Sequence, residues 1–353
     1  MDHATPYRPI LAVALMLLAF AGCTRSTNED WSPRMATIGG ADFARVEEWS
    51  YAGAPGQLIT TPNYRLHCTL ENPSLMERLP LFMELAGEHY RTAIVELPPP
   101  RRRMESFIFG ARDQWERYAQ ELMGVNAAPY LRIGRGGFSA GGRAVLYDIG
   151  VSDTLAIAAH EGWHQFAQSS FEDSLPIWLE EGMATFMEGH RFVDGSPVFM
   201  PWSNPERFDL LRRATYSRRS RLMSVQEVLQ THPEDALARS NRSALLYYAQ
   251  VWSLTHFLHE GADGRYRDRL RLLLRDTAEG RLDRRVRSTL RARGDSTVGL
   301  NTRTGDAVFR AYFTDDLEAF DRDYQAFVRD MVRSGKRGRM LLGESPLGDP
   351  TTP

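Results

Sequence analysis

The sequence predicts an α+β architecture, with a strand-rich half over residues 41–150, a helical half over residues 151–334 and a functional helix where the two meet. Three observations carry that expectation. Tyr64–Leu70, Met104–Phe109 and Arg143–Ile149 are short apolar or alternating runs bounded by turn residues, the pattern of strands. Beyond residue 150 apolar side chains recur at helical spacing over 153–171, 176–189, 224–231, 242–260, 264–278 and 315–334. At the head of that helical half, His160-Glu161-Gly162-Trp163-His164 sets two imidazoles four residues apart, which stacks them on one helix face.

The elements follow in chain order. Residues 1–23 read as a leader outside the fold. Arg8 precedes an eleven-residue apolar run, Ile10 to Phe20, too short to span a bilayer and suited to a signal peptide. Its ending, Leu18-Ala19-Phe20-Ala21-Gly22-Cys23, resembles the bacterial lipobox, which implies that Cys23 becomes a lipidated first residue. The expected location is therefore the bacterial cell envelope, with the chain exported and lipid-anchored at the outer membrane or a periplasmic face. Residues 24–40 are polar and small, a tether. With Cys23 taken by lipid, Cys68 stands alone in the first strand and reads as a buried structural thiol.

A helix over 74–95, with Ser74 as its cap, carries Leu75, Leu79, Phe82, Leu85 and Tyr90. The second strand, Met104–Phe109, precedes a helix over 113–123. Next comes a Gly-rich stretch, 134–142, between strand-like pieces Tyr130–Ile133 and Arg143–Ile149. It lacks the Lys-Ser/Thr of a phosphate loop and reads as a hairpin at the sheet edge. The Gly- and Pro-containing end, 335–353, reads as a disordered tail.

Charge narrows the function. The formal net charge of −2 gives no general attraction to nucleic acid, and in the Arg-rich stretch 265–293 Asp and Glu interleave. The chemistry lies in the 150s to 180s. Asp153 or Ser152 can cap the helix, while Leu155, Ala159, Gly162 and Phe166 form its apolar stripe, leaving His160 and His164 on another face. Two such histidines suit zinc, which takes a third protein ligand and keeps its fourth position for water, and Glu161 is placed to act as general base. Sixteen residues separate His164 from Glu181, within Trp178-Leu179-Glu180-Glu181-Gly182.

HExxH followed by Trp-Leu-x-Glu-Gly resembles the gluzincin metallopeptidases, with a distant likeness to the aminopeptidase N core and to bacterial peptidase-like proteins. The resemblance covers roughly 155–190, and 245–260 more loosely. It implies a zincin-like fold, one Zn²⁺ held by His160, His164 and Glu181, and hydrolysis of a peptide or protein substrate. Helix spacing separately sets Glu181 and Glu188 opposite the stripe Leu179, Met183, Phe186 and Met187, with Glu180 on the flank. Glu188 is expected to orient a ligand, or else to be a plain helix-end carboxylate. Tyr248 aligns with the family's oxyanion-stabilising tyrosine, with Tyr247 beside it as the alternative; His256 and His259 read as packing or solvent-facing residues. The Gly-x-Met-Glu-Asn segment of aminopeptidase N has no counterpart. A competing expectation is a membrane-anchored, non-catalytic binding or scaffold protein retaining a zinc site.

Overall fold

The computed structural model describes residues 43–134, 136–217, 221–294 and 305–348, together with the backbone of Ala12–Val13. Cys23 and the tether 24–40 lie outside the described residues. The expected α+β division holds. A mixed sheet with flanking helices forms the N-terminal half, and the rest is helical apart from the two-stranded hairpin His190–Val193 and Ser196–Phe199.

Across the sheet the order is Gly137–Ala140, Arg143–Tyr147, Met104–Phe109, Tyr64–Cys68, Ala54–Thr60 and Arg45–Tyr51. Met104–Phe109 is parallel to both its neighbours, and the other pairs are antiparallel. Ala12 and Val13, within the expected leader, pair antiparallel with Ser139 and Phe138 on the open edge. Side-chain alternation explains how both faces are covered. Tyr64, Leu66, Cys68, Met104, Ile108, Ala144 and Leu146 point to one face and join the main core under the helices Pro73–Thr92 and Val151–Ser170. Phe107, Phe109, Val145 and Tyr147 point to the other, where Trp115 of the helix Arg112–Met123 packs on them. Cys68 is fully buried, a packing thiol as expected.

Several boundaries differ from those the sequence predicts, each for a local reason. Arg45–Tyr51 and Ala54–Thr60 form a hairpin that the sequence pattern does not announce; the first of these, at the outer edge, is mostly exposed and carries few apolar residues to betray it. Tyr130 is not in a strand but in the short helix Ala128–Leu131, and the strand after it begins at Gly137. Asn72, not Ser74, caps the helix Pro73–Thr92, its side chain accepting from the Leu75 amide with Pro73 in the first turn. Neither Ser152 nor Asp153 caps the next long helix, which starts at Val151 directly after Gly150 (φ 102°). The Arg-rich stretch is two helices, Arg267–Ala278 and Leu282–Ala292, broken at Gly280 (φ 68°).

The expected disordered tail is folded as far as residue 348. Arg337–Leu341 is helical, Met340 is buried, and Arg337 pairs with Asp209 at 2.9 Å. Among the described residues, no helix is long and apolar enough to cross a membrane.

Candidate metal centre

Three elements meet at one buried point: the helices Val151–Ser170, Ile177–Met187 and Asn241–Glu260. Their close approach depends on Gly182. A Cβ there would stand 3.0 Å from the Val251 carbonyl oxygen and nearer still to the Thr255 hydroxyl. The edge strand comes close as well. A Cβ on Gly137 would meet the Glu161 side chain at 3.0 Å, so the missing side chain leaves that carboxylate room.

Within this junction, donor atoms of His160, His164 and Glu181 form a single group able to hold a metal ion. The Nε2 atoms of His160 and His164 are 3.3 Å apart, and Glu181 Oε2 lies 3.5 Å from the first and 3.6 Å from the second. Donors bound to a tetrahedral zinc at about 2.0–2.1 Å stand about 3.3–3.4 Å from one another. The triangle therefore already has the edges of a coordination face. Among the described residues, the buried Glu181 Oε2 has no hydrogen-bond partner, which fits a candidate ligand atom.

The flanking groups hold the ligands in place. His160 Nδ1 meets Glu188 Oε1 at 2.8 Å, so this helix-end carboxylate is hydrogen-bonded to a candidate ligand. Glu188 is held in turn by the Arg207 guanidinium, at 2.9 Å and 3.3 Å to its two oxygens, and by Asn204 Nδ2 at 2.7 Å. Asn204 also caps the helix Pro205–Tyr216, accepting the Arg207 amide with its own oxygen. On the other side Glu180 Oε1 stands 3.5 Å from His164 Nδ1 without closing a hydrogen bond. Helical spacing alone puts Glu180 on a flank. In fact the helix Ile177–Met187 is buried on nearly every side, and Glu180 is hidden as fully as Glu181.

Glu161 is fully buried, and neither of its carboxylate oxygens has a partner among the described residues. Burial pushes its pKa up to about 7, against the pull of His160 and His164 in the other direction. Burial raises the carboxyls of Glu181 and Glu188 too, but the His164 and His160 rings bring the first down, and Arg207 with His160 brings down the second.

Tyr248 stacks edge-on to His160 at 6.1 Å between ring centroids, with the Arg207 guanidinium 5.5 Å over its ring. Its hydroxyl is buried without a partner, as is that of Tyr247. His256 packs flat on Trp202 at 3.6 Å and takes no part in the centre. Sequence reasoning does not single out Arg207 or Asn204. For Arg207 a signal exists: Asn204-Pro205 is a helix start, and it sets Arg207 in the first turn.

The family described as "Protein of unknown function (DUF1570)" matches residues 154–279. That span holds the three candidate ligands, Glu161, Glu188, Arg207 and Tyr248, and leaves out the N-terminal mixed sheet. Among curated proteins none matches the chain.

Proposed function

We propose that this protein is a zinc-dependent peptidase of the gluzincin type. The observation that carries the reading is Glu161. It is a carboxylate with two unpartnered oxygens, fully buried beside a face of three converging ligand atoms. A purely structural metal site has no use for such a group, which is unfavourable to bury. A hydrolytic site needs it, and a pKa of about 7 suits a group that must accept and then return a proton near neutrality.

His160, His164 and Glu181 would hold a zinc ion, which would supply Lewis acidity and lower the pKa of a water there. Glu161 takes the proton of the attacking water and delivers it to the leaving amine. The Tyr248 hydroxyl, which has no other partner, donates to the oxyanion that develops on the scissile carbonyl, with Tyr247 as the neighbouring alternative. Glu188, fixed by Arg207 and Asn204, keeps His160 in the tautomer that leaves Nε2 free to ligate. The edge strand Gly137–Ala140 offers backbone groups to an extended peptide, the arrangement that Ala12–Val13 adopts on it. The proposed setting, a bacterial cell envelope with the chain tethered through lipidated Cys23, rests on the leader sequence.

Glu161→Gln tests the assignment. Zinc content should stay stoichiometric while cleavage of a broad peptide library falls by about 10²–10⁴-fold. A full complement of zinc in the wild-type protein with no cleavage of any library would favour the scaffold reading.

A further inference from the structure

Every group of the metal centre is shut away from water. His160, Glu161, His164, Glu181 and Tyr248 each expose no more than 2% of their surface. A peptide reaches the ligand face only if a wall moves. The closed arrangement also carries a cost. Both oxygens of Glu161, one each of Glu180 and Glu181, and the hydroxyls of Tyr247 and Tyr248 are buried without partners among the described residues. Each of these atoms is better solvated than shut in, so opening toward water relieves the centre.

One wall is held more loosely than the rest. The helix Pro233–Arg239 packs on Asn241–Glu260, the helix that carries Tyr247 and Tyr248. Its holds are the buried Pro233 and Ala236 and the half-buried Leu237. Among the described residues, its side chains form no ion pair or hydrogen bond with another element. Its flanks, in contrast, are pinned. Thr231 Oγ1 donates to the Glu227 carbonyl at 2.7 Å, and Ser240 Oγ accepts the Ser243 amide at 3.1 Å. His232 and Ser240, both extended, join the helix to these fixed points. Leu237 ties the helix to the far side of the centre. It packs against the main core and also against the cluster on the other face of the sheet, which contains Tyr130 and, on the edge strand, Phe138. That edge strand borders Glu161 at Gly137. Ala12–Val13 pair with the same strand and lie against the same helix, so an extended chain can touch both at once.

We propose that the helix Pro233–Arg239 is a lid over the metal centre, hinged at His232 and Ser240 and latched by Leu237, and that it swings away from the edge strand to admit an extended peptide. Hinges of this kind are a few residues at the ends of an element, and an element held by little apolar contact opens on its own, ahead of the fold around it. What passes beneath the lid rests on the peptidase reading; the motion itself does not.

Two readouts on the full-length protein test the lid, and neither uses a peptide. The first is hydrogen–deuterium exchange of the metal-free wild type. Amides of 236–240 should exchange at least about a hundredfold faster than those of 247–258 in the helix beneath, because the lid opens while that helix stays shut. One common rate for the two sets would mean that they open only together, and overturns the proposal. The second is access of zinc to the centre, in wild type and in Leu237→Ala. Cutting back the latch should speed both zinc uptake and zinc release to excess dipicolinate by about tenfold, with the affinity unchanged, since a gate alters both rates alike. Faster release with weaker binding would make Leu237 a support for the ligands. Unchanged rates would mean that the helix does not cover the centre. Either result overturns the lid and leaves the peptidase reading standing. A wild type that takes up no zinc overturns the peptidase reading, and the exchange rates then decide the lid alone.

Discussion

Two carboxylates of this protein are equally hidden from water and are treated in opposite ways. Asp276, in the helix Arg267–Ala278, accepts from Arg281 at 2.9 Å, from Tyr312 at 2.9 Å, and from Arg285. Its charge is balanced by the chain itself, and the cluster ties three consecutive helices, Arg267–Ala278, Leu282–Ala292 and Gly305–Tyr312, to one another. Among the described residues, nothing donates to either oxygen of Glu161. The same physics governs both, since a buried charge must be paired or must be costly. The first site is complete, and its work is to hold helices together. The second finds no partner among the described residues, and that makes it a candidate site of chemistry.

Substitutions put this contrast at risk. Asp276→Ala should cost about 3 kcal/mol of unfolding free energy in chemical denaturation. That is at the lower end for a broken buried ion pair, because Arg281 and Arg285 are 40% and 41% exposed and water screens them. Glu161→Gln in metal-free protein should have the opposite sign. The folded pKa of Glu161, about 7, lies above its ordinary 4.5, so its ionisation penalises folding fully above pH 7 and not at all below about 4.5. The variant should therefore be more stable than wild type by about 3 kcal/mol at pH 8, and the difference should vanish by pH 4. Equal stabilities at pH 8 would mean that Glu161 is solvated after all. The smallest effect is expected at Glu188. Glu188→Gln keeps a side chain of the same shape but removes the charge facing His160 and Arg207, and zinc affinity measured by chelator competition should weaken about tenfold.

The contrast also separates what can be read in the sequence from what cannot. His160, Glu161, His164 and Glu181 are legible because helical spacing alone brings the histidines together, and a single short loop brings in the next helix. Tyr248 is legible by resemblance and does stand beside His160. Arg207 is not, because its role depends on the packing of a distant helix against Glu188, which no periodicity encodes. Spacing leaves Glu180 out of the ligand group, as the structure does, but does not announce its burial, because Ile177–Met187 has almost no wet side. The edge hairpin falls in the expected region, but Tyr130 is helical. An isolated aromatic beside Leu131 and Ile133 looks apolar in either state, and Pro129 favours a helix start there.

Everything proposed for the centre depends on two imidazoles and one carboxylate closing on a divalent ion. The decisive measurement is metal content together with X-ray absorption at the zinc edge, on wild type and on Glu181→Ala. One zinc per chain is expected, with two nitrogen donors and oxygen donors at about 2.0–2.1 Å, and loss of most of the metal in the variant. A wild-type protein that binds no zinc from a zinc-buffered solution, or a Glu181→Ala protein with an unchanged spectrum, would contradict it.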